Sequence, residues 1–212
     1  LTVQKGKPTL RAVPQHRRDI RPGSGPEGNE RLTAMTGAVL LAGFAAEGLT
    51  ILSIHHLLAL HFLLGMLLIG PVALKIGSTL YRFFRYYAGS VPYVRKGPPA
   101  PLLRLIGPLV ILTSAGVLGS GVMLAVAGPA GRGPWLLLHK ASFILWFGVM
   151  TIHVLAYAPR LPRLLLQGRA RASAAIPGGA ARWLLLGASL AGGILVAVLT
   201  VHWSAQWGAG AL

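Results

Sequence analysis

The 212-residue chain contains no cysteine and only four acidic residues. The missing thiols exclude disulfides, thiolate-bound metals and iron–sulfur clusters held by this chain alone. Also missing are a phosphate-binding P-loop, a zinc motif and a Ser/His/Asp set, so nothing marks an enzyme acting on its own. The first 31 residues lack the apolar core of a cleaved signal peptide; they are polar, basic and rich in Pro and Gly, and read as a disordered tail. The chain opens on Leu1 rather than Met, and the sequence alone does not separate a processed end from an unusual start codon.

Apolar residues are abundant, at 54% against 11% charged, and they fall into long runs. Five runs, about 32–54, 56–80, 102–127, 135–158 and 183–203, are each long enough to cross a hydrocarbon layer of roughly 30 Å at 1.5 Å per residue. The expected architecture is therefore an all-α, five-span membrane bundle over residues 32–212. No fixed-period repeat interrupts it.

A net charge of +16 would suit a nucleic-acid binder if it lay on one exposed face. Here it is segregated by connection. Lys5, Lys7, Arg11, Arg17, Arg18, Arg21 and Arg31 precede the first span. Arg82, Arg85, Arg95, Lys96 and Arg104 follow the second, and Arg160, Arg163, Arg169, Arg171 and Arg182 follow the fourth. The alternate connections carry only Arg132. The positive-inside rule then predicts a cytoplasmic N-terminus and tail, an external C-terminus, and spans two and four running inward, with lipid and not nucleic acid as the partner. Trp135, Trp203 and Trp207 fall at the outer boundaries. Tyr81, Tyr86, Tyr87, Tyr93, Tyr157 and Trp183 fall at the inner ones.

Within this apolar frame the segment LHKASFILWFGVMTIHV sets His139 and His153 fourteen positions apart. That is nearly four helical turns, so the two share a face about 21 Å apart along the axis, with Trp146 halfway. No single metal spans that distance, because metal–imidazole bonds are about 2 Å long. Two stacked haems would, since haem iron takes an imidazole on each face and the macrocycle suits an apolar slot between helices. Span two runs parallel to span four, and His61 sits at the depth of His139. Fourteen residues beyond His61 stands Lys75, so the His61–His139 and Lys75–His153 separations are equal. Lys75 can snorkel to the headgroups, ligate an inner iron as a neutral amine, or pair with a haem propionate. The bland alternative for all of them is structural: intramembrane histidines also bond across helices.

Glu47 is the only acid within a span and lies near the level of His61, where burial requires a hydrogen-bond partner or protonation. A proton-accepting role beside a quinol site is the sharper reading. Arg82 and Arg85 either clamp propionates at the inner surface or set topology. Gly70-Pro71 is expected to kink span two, Gly65 to let a flat ring approach the backbone, and Gly116, Gly119, Ser120 and Gly121 to permit close packing. His55 and His56 fall at the outer interface, His56 being the reserve ligand. His202 lies near the outer end of span five, and His16 in the tail has no assigned role.

With HFLLGMLLIGPVALKIGSTLYRFFRYY and LHKASFILWFGVMTIHV, the chain resembles the small integral-membrane cytochromes b. These are four- or five-helix, often di-haem proteins that serve as membrane electron-transfer subunits, ferric reductase-like proteins among them. The pairing of KIGSTLYRFFRYY with LHKASF looks like actinobacterial members of the group. The resemblance implies one or two haems b, with His61 and His139 as one axial pair and His153 as half of another. It also implies electron transfer in a bacterial cytoplasmic membrane, with quinone or a redox protein as partner and a possible place in an oligomer or larger redox complex. Lys75 departs from its bis-histidine pattern. The competing expectation is a haem-free scaffold or partner-binding subunit.

Overall fold

A computed structural model describes residues 25–98, 101–157 and 178–207. The described residues are helical throughout, without strands, in the order α1 (Pro26–Ile51), α2 (Ile54–Tyr87), α3 (Val91–Lys96), α4 (Pro101–Ala127), α5 (Arg132–Tyr157) and α6 (Gly179–Thr200), the last continued by a 3-10 segment (Val201–Trp207). α1, α2, α4, α5 and α6 with its extension are long and apolar enough to cross a membrane. Their side chains fit that setting. Leu105, Leu137, Ile144 and Leu184 are each at least 70% exposed, an arrangement that is stable only against lipid or a partner.

The element ends differ from the expected ones for identifiable reasons. α1 starts at Pro26 rather than near residue 32, so the supposed tail is shorter; proline is favoured in a first turn because its missing N–H is unsatisfied there in any case. The added turns place Glu27 and Glu30 against Lys96, and Glu30 also against Arg82 at 3.0 Å. The rest of the tail, residues 1–24, and the basic residues Arg160, Arg163, Arg169 and Arg171 lie outside the described residues. α2 has 34 residues and continues seven beyond the expected end, which makes it about 50 Å long. The Gly70-Pro71 pair does not interrupt its helical dihedrals; the one non-helical residue inside it is Leu57, at φ −109° and ψ 15°.

α2 is the central element. On one side Leu68 and Val72 pack with Leu40 of α1, and on another Met66 packs with Ala197 of α6 and Ala125 of α4. The α2–α6 crossing is very close. A Cβ at Gly70 would run into the Ser189 carbonyl oxygen, and one at Gly193 into the Leu67 carbonyl oxygen. α4 and α5 form a hairpin closed at Gly128, whose φ of 65° is readily taken only by glycine. This hairpin packs closely on itself and only sparsely on α2, leaving a seam between the two groups of helices. One end of the bundle holds the α1–α2 and α4–α5 turns and the 3-10 segment (the turn end). The other holds Arg82, Arg85, Arg95, Lys96 and Arg104 (the basic end).

Candidate functional site

The seam opens into a slot of about 600 Å³ between α1, α2, α4 and α5. On α5 its wall is the stripe Leu136, His139, Lys140, Phe143, Phe147 and Met150, the spacing of one helix face. Near mid-depth Trp146 closes part of the bundle: it is buried, its indole N–H donates to Ser114 Oγ at 3.0 Å, and its ring lies 4.7 Å from that of Phe44.

Two imidazoles meet in the slot, His61 from α2 and His139 from α5. Their ring centres are 6.4 Å apart and their planes 79° from parallel. With bonds of about 2 Å on each side and roughly 1 Å from each nitrogen to its ring centre, two imidazoles sharing one metal have centres about 6 Å apart.

The partners of each ring favour one tautomer. His61 Nδ1 lies 2.8 Å from Thr50 Oγ1 and 3.1 Å from Glu47 Oε1. With the Thr50 hydroxyl donating to the Glu47 backbone oxygen, it accepts towards His61, which favours the tautomer with the proton on Nδ1. His139 Nδ1 lies 3.1 Å from the Val117 carbonyl oxygen, which can only accept, and 3.2 Å from Ser120 Oγ. Its Nδ1 is therefore protonated too. Both Nε2 atoms are left with bare lone pairs and no described hydrogen-bond partner, the form in which imidazole binds a metal. Small residues make room for this. A Cβ at Gly65 would stand 3.3 Å from Glu47 Oε1, and one at Gly121 3.1 Å from His139 Cε1. Gly65 thus accommodates the carboxylate of Glu47.

Comparison of the chain with protein-family models, curated proteins and solved structures finds no match.

Among the described residues no group of three or more His, Cys, Asp or Glu side chains is placed to hold a metal ion. The slot offers two imidazoles in an apolar wall, a donor set suited to a metal whose remaining ligands arrive with it. The other residues singled out from sequence lie elsewhere. His153 and Lys75 do not line the slot. The Lys75 ammonium donates to the Thr33 carbonyl of α1 at 2.6 Å. His153 packs on Tyr157 with its buried Nδ1 unpartnered. Arg82 pairs with Glu30, Arg85 lies 5.7 Å from the centre of the Tyr93 ring, and neither lines the slot. His55 and His56 are exposed. Sequence reasoning did not single out Thr50, the Val117 carbonyl or Lys140. Thr50 was detectable as an intramembrane hydroxyl one turn from Glu47, and Lys140 as a cation on the same face as His139.

Proposed function

We propose that the chain is a b-type membrane cytochrome with a single haem held between α2 and α5 by His61 and His139. The observation that carries this reading is the meeting of His61 and His139 in the slot, ring centres 6.4 Å apart, with each Nδ1 held by neighbouring oxygens so that each Nε2 is the nitrogen left for a metal. Haem bound there supplies a one-electron ferric–ferrous couple. The protein's part is to hold and shield it. Glu47 and Thr50 orient His61, Val117 and Ser120 orient His139, and Phe44, Phe143 and Trp146 keep the slot dry. A second haem is not part of this proposal, because neither Lys75 nor His153 lines the slot and Lys75 donates to the Thr33 carbonyl.

Segregation of the basic residues supports a cytoplasmic basic end and an external turn end in a bacterial membrane. His61 and His139 each lie seven residues from the turn-end starts of α2 and α5, about 10 Å along the axis. Electrons would therefore be exchanged near the outer face, with a quinone in the lipid or a docked redox protein. A haem-free scaffold would use the same interhelical bonds structurally. A reduced-minus-oxidised spectrum of the purified protein separates the two: the cytochrome gives Soret and α bands and one haem per chain, both abolished by His61→Ala or His139→Ala. A colourless protein from haem-replete cells that also fails to take up added haemin refutes the reading.

A further inference from the structure

We propose that Lys140 is the anion anchor of the slot, its ammonium taking the carboxylates of the amphiphile that lies there, the haem propionates. This rests on the cytochrome reading and assigns a residue that neither the axial ligands nor their partners account for. Lys140 follows His139 directly and stands on the slot-facing stripe between Leu136 and Phe143, the only Lys or Arg in the slot wall among the described residues. It has no carboxylate partner among them. Glu27 and Glu30 are paired with Lys96 and Arg82, and Glu47 with His61. A cation at the edge of an apolar cavity is stabilised by an anion brought in with the ligand.

The orientation follows from where charge can be tolerated. Ionised propionates must point to the nearer aqueous boundary, and for a ligand between His61 and His139 that is the turn end. There the slot is also lined by Ser204 and Trp207 of the 3-10 segment, which gives it a polar rim. The arginines of the basic end do not compete. Arg82 lies 21 residues beyond His61 on the same helix, about 30 Å away, and is paired with Glu30.

The shared chemistry is an acidic headgroup on an apolar body, which a haem or an anionic phospholipid could supply. Full-length protein purified from haem-starved cells is titrated with haemin and with haemin dimethyl ester, which lacks the ionised carboxylates, and its retained lipid is measured by mass spectrometry. Wild type should favour haemin over the ester by roughly fivefold, as expected for one accessible ion pair. Lys140→Met should erase that preference without weakening ester binding, and Lys140→Arg should keep it. An equal preference in wild type and Lys140→Met overturns the proposal and leaves the cytochrome reading intact. So does an unchanged preference accompanied by loss of anionic phospholipid, which would make a lipid the occupant. Wild type that binds neither compound refutes the cytochrome reading itself. If Lys140→Met loses both ligands, Lys140→Gln is put through the same comparison and the same outcomes decide.

Discussion

A histidine binds metal through an unprotonated nitrogen, and at His61 and His139 that nitrogen is determined by what holds the other one. Thr50 matters more than its size suggests. Its hydroxyl is already committed to the Glu47 carbonyl and so presents only a lone pair to His61. Thr50→Val keeps the shape and removes the acceptor, and haemin binding should weaken by about 10- to 100-fold, the usual effect of losing a group that orients a metal ligand. An unchanged titration curve would mean that Glu47 alone orients the ring. The meeting of His61 and His139 was legible in the sequence because equal depth on parallel spans leaves few alternatives. Thr50 and Lys140 carried only a weak signal, since hydroxyls are common in spans and a lone lysine near a boundary reads as a topology signal. Only packing across helices shows what each of them faces. Lys75 had several open readings for the same reason: its acceptor, the Thr33 carbonyl, belongs to a helix whose rotation no sequence pattern fixes.

Among the helices, the α2–α6 crossing is the contact with least tolerance, since backbone meets backbone at Gly70 and Gly193. Gly193→Leu should force α6 away and destabilise the protein by about 1–3 kcal/mol, the cost of overpacking a tight contact. Its neighbour supplies the control: a Cβ at Gly192 meets nothing within 4 Å, so Gly192→Leu should be near neutral. Thermal unfolding in detergent compares the two, and equal melting temperatures would show that the crossing carries no such constraint. The five long helices were legible from apolar runs alone. Their ends were less so. The start of α1 depends on ion pairs made with Arg82 and Lys96, more than fifty residues away, and α2 continues past its apolar stretch because Tyr and Arg remain good enough helix formers at the interface.

For the whole molecule, the distribution of basic residues predicts that a reporter fused after Leu212 is active only outside the cell. Cytoplasmic activity would invert the bundle and put the histidine pair near the inner face. The sparse seam between the α4–α5 hairpin and the remaining helices bears on biogenesis. Each group has its own packed interface, so both can enter the bilayer and persist before the slot is filled; on the cytochrome reading proposed above, haem would be the last part to assemble. A ligand bound only by the closed arrangement stabilises it in proportion to the logarithm of its concentration over its Kd, about 2.7 kcal/mol at a hundredfold excess. Cells starved of haem should therefore accumulate inserted protein that a protease cuts readily in the turn around Gly128, and added haemin should protect that turn. Supply of the cofactor would then set how long each newly made chain survives.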